Sequence, residues 1–271
     1  MTASQLSVAV RTGQRVYGSL IVADSPRWPA SVAQIGLDFV FIDTEHIALD
    51  RKELSWMCQI YAGLGLPPIV RIPSPDPYAA TMALDAGAAG IVAPYVETLA
   101  EVRALRGAVK LRPIKGARLE AVLNGRTEFP PELQRYQKAN HGDNLLVINI
   151  ESVPAVNNLD AILAEPGVDA VLIGPHDLSS SLGIPEQYDH PQFEATVRDI
   201  FQRARQHRVA AGIHSWMGVE REIQWAAAGL NFIVHGGDII AMKNQLSADV
   251  RALRAALGDA GLAKAATAEN V

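Results

Sequence analysis

The chain has 271 residues, 49% of them hydrophobic and 20% charged, which is enough apolar material for one large core of the size α/β barrels commonly reach. A formal net charge of −5, with no Lys/Arg block and no basic face interleaved with aromatics, excludes nucleic acid as an expected partner. The single Cys58 excludes an internal disulfide, Met1 to Gly13 lacks the apolar run of a signal peptide, and no stretch offers the ~20 apolar residues of a membrane helix. The expectation is a soluble cytoplasmic protein.

Arg15 to Val22 is a short β-rich run, and Arg27 to Ile35 predicts a helix with Pro29 tolerated in its first turn. Asp38 to Asp43 reads as a near-continuous apolar strand ending in acid, followed by Thr44-Glu45-His46. Asp50 is a candidate N-cap for a helix to about Tyr61, stopped by Gly63 and Gly65. Pro68 to Ile72 predicts a third strand, Tyr78 to Ala86 a helix, Gly90 to Ala93 a fourth strand, and Leu99 to Val109 a helix. Arg112 to Asn144 breaks the rhythm: it is polar, with one weak helix around Glu132 to Ala139, and a connection this long is usually functional or mobile.

The alternation then resumes. Leu145 to Ile150 and Ala170 to Ile173 read as buried strands flanking a helix over Val156 to Ala164. Phe193 to His207 is amphipathic, Ala210 to His214 a seventh strand, Glu220 to Ala228 a helix, and Phe232 to His235 an eighth strand. Ile239 to Leu257 closes the domain as a long helix, leaving 258–271 as an expected flexible tail. Strands that read as apolar runs indicate a parallel sheet covered by helices on both faces. Eight strand–helix units close most simply as a single-domain (β/α)8 TIM barrel over 1–257. No Gly-rich dinucleotide fingerprint or Walker-type loop argues for a doubly wound sheet instead.

In such a barrel the strand C-termini meet on one face. Those ends carry Asp43, Glu45, His46, Arg71, Glu151, Asp177, His214, Ser215, His235 and Asp238. Unpaired buried carboxylates are costly, at several kcal/mol per ion. Two of them without Cys suit Mg²⁺ or Mn²⁺, which can chelate a 2-oxo acid and stabilise its enolate. Singly, each residue also has a plainer reading. An acid there serves as a helix cap, Arg71 as a structural ion-pair partner, His46 as a loop residue, and Asp85 as a solvated helix-end acid. His214 and His235 are expected to line a pocket.

The motifs Phe-Ile-Asp43-Thr-Glu45-His46, Ile-Val-Arg71, Leu-Asp85-Ala-Gly, Ile150-Glu151-Ser and Ile-Gly174-Pro175-His176-Asp177-Leu-Ser, in that order, resemble the HpcH/HpaI family of metal-dependent 2-oxo-acid aldolases. The resemblance runs from about Gly18 to Leu257. It implies a barrel whose last helix is exchanged between subunits, in dimers assembled as hexamers. It also implies reversible cleavage of a 4-hydroxy-2-oxo acid to pyruvate and an aldehyde through a metal-held pyruvate enolate. Glu151 and Asp177 would ligate Mg²⁺ or Mn²⁺, with Co²⁺ a third choice. Arg71 would contact the enolate oxygen, and His46 would be the base, oriented by Asp85 as its dyad partner. Backbone at Gly174, Pro175, His176 and Asp177 would hold the pyruvate carboxylate, with Asp43, Glu45 and Asn149 in support.

The chain departs from that pattern on the aldehyde side, at Lys115-Gly116-Ala117-Arg118, at Asn149 and at His176. Lys115, Arg118 and Arg126 either meet a second substrate carboxylate or form a solvated lid. Two rival readings remain at this stage. One is another enolate-forming lyase or decarboxylase of the same superfamily. The other is a non-catalytic metabolite-binding barrel, against which His46, Asp85 and Arg71 together argue.

Overall fold

The computed structural model describes residues 1–259; the remainder of the expected tail lies outside the described residues. Eight parallel strands close a barrel in sequential order: β1 (Val16–Leu20), β2 (Phe39–Asp43), β3 (Pro68–Arg71), β4 (Gly90–Ala93), β5 (Leu145–Ile150), β6 (Ala170–Ile173), β7 (Ala210–Ser215) and β8 (Phe232–Gly237). The helices preceding β5 are α1 (Ala3–Arg11), α2 (Trp28–Val32), α3 (Arg51–Gly63), α4 (Pro77–Ala86), α5 (Leu99–Lys110), α6 (Gly116–Leu123) and α7 (Pro131–His141). Those following it are α8 (Val153–Asn157), α9 (Leu159–Ala164), α10 (Pro175–Ser181), α11 (Pro191–Gln206), α12 (Val219–Ala228) and α13 (Asp238–Leu257). This is the expected (β/α)8 barrel.

The helix starts follow capping chemistry. Asp50 accepts from the N–H groups of Lys52 and Glu53 while Glu53 reaches back, and Thr98 with Glu101 repeats that box at α5. Each strand from β2 to β7 is buried on both faces, which is why each reads as an unbroken apolar run. Two apolar layers result. One lies between strands and helices; the other fills the barrel, where Phe39 and Phe232 stack at 4.8 Å. Gly18 is required there, because a Cβ would fall 2.3 Å from the Phe39 ring.

Three elements differ from expectation. Helix α1 was not foreseen; its Leu6, Ala9 and Val10 join the barrel's interior cluster and close its lower end. The 112–144 excursion holds two helices, α6 and α7, packed on α5. The helix expected over 156–164 is two short ones that share Asn158 as a junction.

Candidate active site

The register sets Asp43 of β2 directly beside Arg71 of β3 at the strand C-termini. The carboxylate takes both hydrogen bonds of a two-point pair, Arg71 Nε at 2.8 Å and Nη2 at 2.5 Å. Burial pushes the Asp43 carboxyl pKa up, but the bonds and charge of Arg71 outweigh it and leave it below the usual value. Glu45 lies 3.1 Å from Arg71 Nε through its Oε2. That Oε2 is buried yet accepts no hydrogen bond, since the single Nε proton already goes to Asp43. His46 is half exposed, with Nε2 3.7 Å from Glu45 Oε1.

Glu151 and Asp177 converge beside Gly174. A Cβ placed on Gly174 would lie 2.9 Å from Glu151 Oε2 and 3.7 Å from Asp177 Oδ2, so this glycine keeps the space between the acids open. Glu151 accepts from the Tyr95 N–H at 2.6 Å and from Asn149 Nδ2 at 2.9 Å. Its pKa nevertheless rises to about 7, chiefly through burial and then through the neighbouring charges of Asp177 and Glu45.

This geometry suits a hard divalent cation. Two carboxylates face one open point, one is buried without a cationic partner, and Asn149 Oδ1 nearby is buried and unbonded. No cluster of three His, Cys, Asp or Glu side chains occurs among the described residues. The donor set is therefore an oxygen pair with room for water and substrate, the arrangement Mg²⁺ and Mn²⁺ favour over a closed zinc cage.

A cavity of about 650 Å³ opens here, lined by His46, Arg71, Asn149, Gly174, Pro175, His176 and Asp177, with Phe41, Leu172, Ile173, His214 and Trp216. The strand-end acids Asp43, Glu45 and Glu151 brace its lining. A hollow of about 710 Å³ between α5, α6 and α7 contains none of these residues. Its Arg103 and Arg106 pair with Glu165, and its Lys110 pairs with Asp169.

Asp85 is corrected. It is an exposed residue at the C-terminal end of α4, ion-paired with Arg112. Helices of this fold run antiparallel to the strands, so the end of α4 lies at the opposite end of the barrel from His46. Within one protomer the carboxylates near His46 are Glu45 and Asp43, the latter feeling its charge directly. His235 is corrected too: it points outward from β8 and bonds Glu222 of α12 at 2.9 Å, whereas His214 does line the cavity. Lys115, Arg118 and Arg126 are exposed and do not reach this cavity.

Tyr95 was missed. Its φ of +56° is uncommon for a residue with a Cβ and turns its N–H onto Glu151. Its hydroxyl bonds Glu45, and that bond is the main reason its pKa is pushed up to about 12. Counting only ionisable strand-end residues overlooks it; the signal was a Pro-Tyr pair just past β4.

The family model described as HpcH/HpaI aldolase/citrate lyase matches residues 20–244. The chain belongs to this family. Relatives of the HpcH/HpaI chain include a 2-dehydro-3,6-dideoxy-6-sulfogluconate aldolase of Pseudomonas putida, 31% identical over 72% of this chain and 76% of the relative. A 5-keto-4-deoxy-D-glucarate aldolase of Citrobacter koseri is also 31% identical, over 75% of this chain and 78% of its own. Among solved structures, Citrate Synthase SbnG superposes with a TM-score of 0.80 at 28% identity, covering 96% of this chain and all of that one. Family and relatives together make this protein a carbon–carbon lyase of the aldolase type.

Proposed function

We propose that this HpcH/HpaI protein reversibly cleaves a 4-hydroxy-2-oxo acid into pyruvate and an aldehyde. The observation that carries the proposal is the convergence of Glu151 and Asp177 beside Gly174 in the cavity that also holds Arg71 and His46. Glu151 and Asp177 would hold Mg²⁺ or Mn²⁺, or Co²⁺ in their place, and the cation when bound supplies Lewis acidity to the substrate's ketone.

The protein's own groups do the rest. Asp43 fixes the Arg71 guanidinium through Nε and Nη2, which leaves the Nη1 protons for the oxygen that becomes the enolate. His46 takes the C4 hydroxyl proton, the C3–C4 bond breaks, and its electron pair moves into the pyruvate enolate. The aldehyde departs, and a proton delivered to C3 completes pyruvate. General-base help of this kind contributes ~10²–10⁴-fold. Asp43 and Glu45, flanking His46 within the protomer, would stabilise the charge His46 gains, and Asp85 is kept as its expected orienting partner from a second copy of the chain. The substrate carboxylate is placed against the Gly174–Asp177 backbone, at the first-turn N–H groups that a helix leaves without intrahelical acceptors.

The test is cleavage of 4-hydroxy-2-oxo acids followed by lactate-dehydrogenase-coupled release of pyruvate, with His46→Asn as control. Pyruvate release that depends on added divalent cation and is lost in His46→Asn supports the reading. Absence of pyruvate with every 4-hydroxy-2-oxo acid and cation would reject it. The similarity to Citrate Synthase SbnG, a family neighbour that is not named an aldolase, favours a second reading, in which the same site serves another enolate-forming carbon–carbon lyase or decarboxylase. Decarboxylation of oxaloacetate without aldol cleavage would select that one.

A second copy of the chain is proposed as the partner. Ile239, Met242, Leu246, Val250, Leu253 and Leu257 form an exposed apolar stripe at helical spacing on α13, which buries none of its residues. The exchange of the last helix and the hexamer implied by the resemblance would cover this stripe.

A further inference from the structure

The cavity has a second half, formed by aromatic rings. His214 contacts Trp216 edge-on, with centroids 5.5 Å apart and planes at 81°. Phe41 also meets His214 edge-on, at 5.6 Å and 61°, and Tyr188 contacts Trp216 at 6.3 Å and 89°. His214 Nε2 lies 2.8 Å from the Gly236 carbonyl oxygen. A carbonyl only accepts, so Nε2 carries the proton and Nδ1 is left as an acceptor. Burial pushes the His214 pKa down to about 4, so at neutral pH the ring is an uncharged acceptor in the cavity wall.

Charge in the cavity points the same way. Arg71 is its one Arg or Lys among the described lining residues, and Asp43 and Glu45 already hold it. His176 faces Glu186 at 3.6 Å. A second carboxylate or a sulfonate on the aldehyde would find no uncommitted Arg or Lys here. The volume of about 650 Å³ is in the range that encloses drug-sized ligands, so it holds far more than pyruvate.

We propose that the acceptor is an uncharged aldehyde bearing an aromatic ring, packed against Trp216 with a ring hydroxyl or N–H donating to His214 Nδ1. The inference rests on the pyruvate-aldolase reading above. In the synthetic direction pyruvate loses a methyl proton to base, its C3 bonds to the aldehyde carbon, and the aldehyde oxygen takes a proton. The product is a 4-aryl-4-hydroxy-2-oxobutanoate, with atoms and charge balanced and no redox partner.

The test pairs two readouts on the full chain with pyruvate and Mg²⁺ or Mn²⁺. The first is kcat/KM for 4-hydroxybenzaldehyde, benzaldehyde, propanal and succinic semialdehyde. The second is methyl-proton exchange of pyruvate in D₂O. The aromatic aldehydes should exceed succinic semialdehyde by about tenfold or more, a margin that aromatic contacts can supply. Trp216→Leu should lower the aromatic values chiefly through KM, and His214→Leu should erase the preference for the hydroxylated ring. Exchange together with a preference for succinic semialdehyde or propanal would overturn this inference and leave the aldolase reading standing. Equal loss for all four aldehydes in Trp216→Leu would overturn it as well, and no exchange in the wild type would overturn both.

Discussion

Arg71 carries the charge balance of the site. It neutralises Asp43, approaches Glu45 and lies 5.7 Å from the Phe41 ring, all at the end of one four-residue strand. Replacement by Lys keeps the charge but loses the planar fork that binds Asp43 at two points. Arg71→Lys should therefore fold, and lose about 10²–10³-fold in kcat with a smaller change in metal affinity, as judged by steady-state kinetics and calorimetry. His214 gives a pH prediction. Its pKa is about 6.5 in the unfolded chain and about 4 when folded, so between those values the unfolded state binds more protons and stability falls as the solution is acidified. Urea unfolding from pH 7 to 4 should show a loss of at most about 3 kcal/mol from this group, absent in His214→Leu. At this scale the strand-end acids, Arg71 and His46 were legible, because each follows an apolar run that ends in charge. Asp85 does not meet His46 within one protomer, because a short motif does not say which end of a helix faces the site. Tyr95 escaped because its part is played through a backbone N–H and a left-handed φ.

Among the elements, the strands were the legible part. Burial on both faces leaves nothing but apolar residues to write into them, and the capping residues of α3 and α5 mark the intervening helices. Helix α1 was illegible for a physical reason. It has nine residues, and its apolar positions Leu6, Ala9 and Val10 are too few to show a period until the barrel floor they cover is seen. Leu6 is fully buried there, so Leu6→Ala should cost about 2–5 kcal/mol in chemical denaturation while leaving the pyruvate KM near its wild-type value. A loss of stability below about 1 kcal/mol would mean that α1 is a loose appendage, outside the range seen for well-packed leucines. The polar 112–144 segment concealed α6 and left α7 legible only as a weak helix around Glu132 to Ala139, because neither has a strong apolar stripe; α6 buries no residue, and α7 buries only Gln137.

At the scale of the molecule the described residues leave part of the barrel uncovered. Tyr17 of β1 and His235 of β8 point outward and are about half exposed, so among the described residues no helix covers the seam between the first and last strands as parallel strands require. Helix α13, which follows β8, presents its apolar stripe to solvent instead. The two exposures belong together if a second copy supplies the missing cover. Leu246→Arg with Leu253→Arg should shift the mass measured by light scattering toward the monomer, and an unchanged mass would contradict that assembly. No described helix is long and apolar enough to cross a membrane, so the stripe is not a membrane span.

In the proposed function Glu151 and Asp177 hold a divalent cation beside Arg71 to stabilise the enolate of pyruvate. The most direct measurement is the exchange of pyruvate methyl protons in D₂O by chelator-treated protein, titrated with Mn²⁺. No exchange is expected without the cation, saturable exchange as it is added, and its loss in Asp177→Asn with the fold intact by circular dichroism. Exchange by chelated protein at the same rate, or an Asp177→Asn variant that responds to Mn²⁺ as the wild type does, would contradict that function.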